Sequence, residues 1–137
     1  MSSQMSITIE PNLDSLELIT ASVEEIGEKE DWPPDLTFKV NLVLDELTTN
    51  IVKYGGLVSE IEISLCSDDE EVTVEIVDNG RPFDPLTEAP EPDIDAPLSE
   101  RRIGGLGVFF VRSMMDDLNY RREQGRNHLA FTKRRAE

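Results

Sequence analysis

A single cysteine, Cys66, in a chain of 137 residues excludes an internal disulfide and fits a reducing cytoplasm. Histidine is equally scarce: His128 is the only one, it alternates with strand-type residues, and it reads as a surface strand position rather than a ligand or phosphoacceptor. Basic residues are few, 13 Lys and Arg against 29 Asp and Glu. The resulting formal charge of -16 repels nucleic-acid phosphates and anionic membranes, so no direct nucleic-acid or membrane role is expected. An acidic surface suits a basic protein partner, although acidity also serves plain solubility. No apolar run reaches the length of a membrane span, and the polar start Met1-Ser2-Ser3-Gln4 does not read as a signal peptide. There is no internal repeat, and the length predicts a single domain over residues 1–137.

What is present is concentrated in three places. The first is Asn41 to Gly56, where Leu42, Val43, Leu47, Ile51 and Tyr54 recur at three- and four-residue spacing, the pattern of a helix buried along one stripe. Inside that pattern Glu46 and Asn50 stand four residues apart, so their side chains project from one face on successive turns. A carboxylate able to take a proton, beside a carboxamide oxygen able to coordinate Mg²⁺, is what phosphoryl chemistry on a nucleotide requires. Taken alone, the pair is better explained as an exposed polar edge of an amphipathic helix. Asp45 adjoins Glu46 but points about 100° away, which suits a solvated acid rather than a paired catalytic one.

The second place is Val72 to Pro85, where alternating β-branched residues read as a strand that ends abruptly at Asp78-Asn79-Gly80. An aspartate there can accept from an exocyclic amine, and Gly80 lets backbone approach a flat ring. An ordinary turn has the same composition. The third place is Arg101 to Asp116, where Gly104, Gly105 and Gly107 open an apolar helix whose exposed amides would suit phosphate oxygens. Such glycines by themselves are more often flexible punctuation. In the same helix Phe109, Phe110, Met114 and Met115 fall at helical spacing and read as core.

Together and in this order, the three segments resemble the ATP-binding fold shared by gyrase-type topoisomerases, heat-shock chaperones, histidine kinases and mismatch-repair ATPases, the GHKL or Bergerat fold. Within it, the likeness is to the small bacterial anti-sigma factor serine/threonine kinases, and it covers the chain from about Ile7 to Lys133. The E-x-x-x-N helix of that family falls on Glu46 and Asn50, which the resemblance makes general base and Mg²⁺ ligand. Its D-x-G-x-P-F-D-P stretch runs from Asp78 to Pro85, with Asp78 contacting adenine and Gly80 beneath the ring. Its G-G-L-G element runs from Gly104 to Arg112, and a D-x-L-x-Y-x-R-x-x-G-R-N-x-L run from Asp116 to Leu129. Tyr54 stands where many relatives have His, and Pro82 where the wider superfamily has a second glycine. Thr132 falls where many members place a threonine that supports the adenine-binding aspartate.

The resemblance implies ATP and Mg²⁺ as cofactors and a STAS-domain anti-anti-sigma protein as partner and substrate. A sigma factor is a second candidate partner, and a homodimer is allowed. The stretch from Asp84 to Arg102 holds Pro85, Pro90, Pro92 and Pro97 among acids, a composition that predicts a mobile loop. Its place matches the family's ATP lid, with Arg101 and Arg102 as candidates to neutralise γ-phosphate charge. The lack of a dimerisation helix bearing a phosphoacceptor histidine argues against a histidine kinase. Two other readings stay open: a non-catalytic ATP-sensing binding module, and a detached ATPase domain for another phosphotransfer system.

The coarse pattern gives the fold expectation. It reads as a first strand at Met5 to Glu10, a helix from Asn12-Leu13-Asp14 through Glu28, and a break at Trp32-Pro33-Pro34-Asp35 before the Glu46 helix. Strands are expected at Glu60 to Ser67 and Glu71 to Asp78, and a terminal hairpin joins Leu118 to Glu123 with Asn127 to Lys133. This order predicts an α/β (α+β) two-layer sandwich, with helices on one face of a mixed, largely antiparallel sheet.

Overall fold

The computed structural model describes residues 2–84 and 111–135. Strand β1 (Ser3–Ile9) leads through a 3₁₀ turn (Leu13–Ser15) into α1 (Leu16–Lys29) and α2 (Pro34–Tyr54). Strands β2 (Ile61–Ser67), β3 (Glu71–Asp78), β4 (Asp117–Glu123) and β5 (Arg126–Arg134) complete the order, and residues 111–114 are helical. The start of the first helical stretch is set by Asn12, whose side chain accepts from the Ser15 amide at 3.1 Å. Its end is set by Asp31, which takes a left-handed φ of 55° and lets the Trp32 amide return to the Gly27 carbonyl at 2.8 Å. Pro34 then opens α2 at a position where a missing amide hydrogen costs nothing.

The five strands form one sheet in the order β1-β2-β3-β5-β4. Every described pairing is antiparallel, where the sequence pattern allows a mixed sheet. The reason is the connection between β1 and β2: with two helices between them the chain reverses three times, an odd number, so β2 re-enters against β1 rather than along it. The β2 to β3 hairpin is closed by Asp68, whose carboxylate accepts from the amides of Glu70 and Glu71. The β4 to β5 hairpin turns on Gln124 and Gly125, both with positive φ, the geometry that matches the twist of paired strands.

One face of the sheet is the core. Ile61, Ile63 and Leu65 of β2, Val72, Val74 and Ile76 of β3, and Leu129 and Phe131 of β5 are buried beneath Ile19, Val23 and Ile26 of α1 and Val43, Leu47 and Ile51 of α2. Met115 joins the same core and Met114 packs on it, as their spacing predicts, with Val111 beside them; Phe109 and Phe110 lie outside the described residues. Trp32, between the helices, donates its indole hydrogen to the Ser67 hydroxyl at 3.0 Å and ties the helical hairpin to the end of β2. The strict alternation along β3 and β5 sends Asp78 and Asn127 to the helix side of the sheet. His128 goes to the other side, as expected, near Glu75 and Arg121.

Candidate functional site

Two pieces of the chain meet where α2 ends and β3 runs out. The last turn of α2 stops at Gly55, whose carbonyl accepts from the Arg81 amide at 2.9 Å. A Cβ on Gly80 would lie 2.4 Å from that same carbonyl oxygen and 2.7 Å from the Val58 side chain, so only glycine fits the approach. Phe83 packs on Tyr54 with ring centroids 6.0 Å apart, and the Arg81 guanidinium lies over the Phe83 ring at 5.0 Å. The turn after β3 is therefore fixed to the helix that carries Glu46 and Asn50. Along the helix axis, Asn50 lies about 7 Å and Glu46 about 13 Å back from Gly55.

Glu46 and Asn50 are both buried, at 9% and 4% exposure, against the polar-edge reading of the pair. Asp45 is exposed, as its angular position predicts. Burial pushes the Glu46 carboxyl up to about 7, and the neighbouring Asp45 charge adds to the rise. Lys53 and the Asn50 carboxamide pull weakly the other way. That carboxamide does not complete a hydrogen bond to it: Oε1 of Glu46 and Nδ2 of Asn50 are sealed from solvent and unpartnered among the described residues. Buried polar atoms without partners are rare, and α2 carries four among the described residues, Asn41 Oδ1 and Thr48 Oγ1 besides these two, of which Glu46 and Asn50 share one helical face. A carboxyl held near neutrality can take a proton and lose it again at physiological pH.

Asp78, 3% exposed, faces the same layer from the end of β3. Its Oδ1 accepts from the Gly80 amide at 2.9 Å and from Asn127 Nδ2 at 3.0 Å. Both contacts fall on Oδ1, and Oδ2 makes no hydrogen bond among the described residues. The partner of Asp78 is thus Asn127, and Thr132 is a correction. Thr132 pairs with Thr73 and Asp117 in the ladders, five residues along β5 from Asn127. An odd step along a strand turns the side chain to the opposite face, so Thr132 points away from the layer that holds Asp78. In the sequence, Asn127 stands only as one letter of the run from Asp116 to Leu129, as do Tyr120 and Arg122 on β4. The signal available is period two: Tyr120 and Arg122 share a face, and Asn127 stands across from Arg122.

Arg101, Arg102, Gly104, Gly105 and Gly107, with the lid expected between Asp84 and Arg102, lie outside the described residues beyond Asp84 itself. Among the described residues, no group of three or more His, Cys, Asp or Glu side chains could hold a metal ion. A Mg²⁺ ion would fit this donor set only in the manner typical of nucleotide sites, held by few protein oxygens, with Asn50 the candidate, and otherwise by substrate phosphates and water. No described helix is long and apolar enough to cross a membrane.

Comparison with known proteins places the chain in a family and a fold. A family model for the histidine kinase-like ATPase domain matches residues 9–133. The chain is similar to the serine/threonine-protein kinase BtrW of Bordetella bronchiseptica, 33% identical over 132 residues that cover 94% of this chain and 89% of the relative. It is also similar to the serine-protein kinase RsbW of Listeria monocytogenes, 30% identical over 92 residues that cover 63% of this chain and 59% of the relative. In fold it matches the crystal structure of the RsbU and RsbW domains of a Mycobacterium tuberculosis protein, with a TM-score of 0.67 at 14% identity. That match covers 96% of this chain and 32% of the other.

Proposed function

This chain belongs to the histidine kinase-like ATPase domain family, and from that premise we infer that it is an ATP- and Mg²⁺-dependent protein serine/threonine kinase of the partner-switching kind. The observation that carries the reading is the buried Glu46 carboxyl, held near neutrality on the same helical face as Asn50 and one layer away from Asp78. Kinase relatives at 33% and 30% identity support it. The substrate is a serine or threonine of a STAS-domain anti-anti-sigma protein, and a sigma factor is the second partner that the kinase holds or releases. The site works within one domain over residues 1–137, in the cytoplasm.

Each residue then has a task. Asp78 Oδ2 accepts from the exocyclic amine of adenine, and Gly80 lets the turn backbone lie against the ring. Asn50 offers the protein oxygen for Mg²⁺, which when bound neutralises phosphate charge. Glu46 takes the hydroxyl proton of the partner as the phosphoryl group arrives. Arg101, Arg102 and the amides at Gly104, Gly105 and Gly107 are proposed to receive the phosphates, by the resemblance alone. The acidic chain, with formal charge -16, leaves steering to basic surface on the partner.

The test is direct: purified chain, ATP labelled on the γ-phosphate, and a STAS-domain protein encoded in the same genome. Label should appear on a serine or threonine of that protein and require Mg²⁺; tight ATP binding with no transfer would favour the ATP-sensing module instead. The base assignment has its own check. Asp78→Asn presents a donor where an acceptor is needed, so ATP affinity should fall by about tenfold or more while weak GTP binding changes little. Calorimetry that found the ATP-to-GTP preference unchanged would remove Asp78 from the adenine site.

A further inference from the structure

The Asn127 side chain is 1% exposed and bonded at both ends. Its Nδ2 donates to Asp78 Oδ1 at 3.0 Å and to the Arg81 carbonyl at 2.7 Å. Its Oδ1 accepts from the Tyr120 hydroxyl, from Arg122 Nη1 at 3.2 Å and from the Phe83 amide at 3.3 Å. All of these contacts agree on one orientation of the amide. Turned over, it would set a donor against the Arg122 and Phe83 donors and an acceptor against a carboxylate and a carbonyl, with Asn127 itself buried and Arg122 exposed. Arg122 also donates to the Gly80 carbonyl at 2.8 Å, so the same strand pair grips both the amide and the turn it holds.

The consequence falls on Asp78. With Oδ1 taken by the Asn127 amide and the Gly80 amide, the carboxylate has one oxygen left, and that oxygen is offered as an acceptor. We propose that Tyr120, Arg122 and Asn127 form a positioning relay that sharpens nucleobase selectivity, by locking the Asn127 amide on Asp78 Oδ1 and so fixing the direction in which the remaining acceptor oxygen, Oδ2, faces the base. A purine bearing an exocyclic amine is then matched. A purine bearing an oxo group at the same place meets acceptor with acceptor and is rejected. Each relay residue acts through Asp78 or through the turn at Gly80. The relay rests on the adenine reading of Asp78.

The experiment uses the full chain and three probes, ATP, GTP and purine riboside triphosphate, which lacks the exocyclic amine. Calorimetry should show wild type preferring ATP over purine riboside triphosphate by about tenfold, the effect of one hydrogen bond to a charged group. In Tyr120→Phe/Arg122→Met that preference should shrink to about threefold or less, through weaker ATP binding with purine riboside triphosphate unchanged. Restoring a cationic donor, in Tyr120→Phe/Arg122→Lys, should recover part of it. A uniform fall for all three nucleotides would show a merely structural role and overturn the relay, as would a variant that keeps the wild-type preference. No preference in wild type would overturn the adenine reading itself, and the relay with it. Should the double variant melt below the assay temperature, Tyr120→Phe alone deletes one hydroxyl from the network and is read in the same way.

Discussion

Replacing Glu46 with Gln should cut phosphoryl transfer by about 10²- to 10⁴-fold, the range for loss of a general base, while ATP affinity stays within about threefold of wild type. The amide keeps the shape of the side chain and removes only its ability to take a proton. The same substitution should change stability in a direction set by pH. The folded protein holds Glu46 near 7, against 4.5 for an ordinary glutamate, so between those values the folded state binds the extra proton. Stability therefore falls as pH rises through that window and is level above it. Glu46→Gln is neutral throughout and escapes the loss. It should melt higher than wild type at pH 8 and equally at pH 4, a pattern that thermal melts at the two pH values would read. A variant that transfers at the wild-type rate, or that melts lower at pH 8, contradicts a buried catalytic carboxyl.

Gly80→Ala should damage the other half of the site. The new methyl would meet the Gly55 carbonyl at 2.4 Å and Val58 at 2.7 Å, and neither the helix end nor the turn can retreat without moving Asp78. Overpacking of this kind costs about 1–3 kcal/mol, and ATP affinity should fall by about tenfold or more as the turn shifts. Gly125→Ala makes the control. Gly125 has a φ of 74° with open space around it, so alanine there strains the β4 to β5 turn by about 1–2 kcal/mol and leaves nucleotide binding alone. Differential melting and calorimetry on the two variants separate a close-approach glycine from a turn glycine. Equal ATP affinity in Gly80→Ala and wild type would remove the steric argument.

Glu46 and Gly80 also show how much of the site could be read from the chain. Glu46 and Asn50 were legible because helical spacing dictates a shared face whatever surrounds it, and Asp78-Asn79-Gly80 because a strand cannot continue through it. The environment of those residues was not legible. Whether the Glu46 face is solvated or buried depends on the sheet beneath α2, and nothing in a four-residue spacing reports what packs against it. Thr132 lies away from Asp78 for a related reason. Position in a motif does not carry parity along a strand, and a step of five from Asn127 puts Thr132 on the wrong face. Asn127 carries no signal of its own in the sequence, because its contacts exist only once β3, β4 and β5 are aligned and bring Asp78, Arg122 and Asn127 side by side. The antiparallel order of the sheet was likewise a property of the helical hairpin, which fixes the direction in which β2 returns, and not of any strand by itself.

The most direct test of the account is the pH dependence of single-turnover transfer from bound ATP to the STAS-domain substrate, with nucleotide occupancy measured at each pH. If Glu46 is the base, the rate should climb about tenfold per pH unit at low pH, bend near the value of about 7 to which its surroundings raise it, and then level off. Glu46→Gln should show only a low, flat residual rate over the same range. A wild-type rate that is flat between about pH 5.5 and 8.5, or a bend that survives in Glu46→Gln, would contradict the claim that this buried carboxyl carries the transfer.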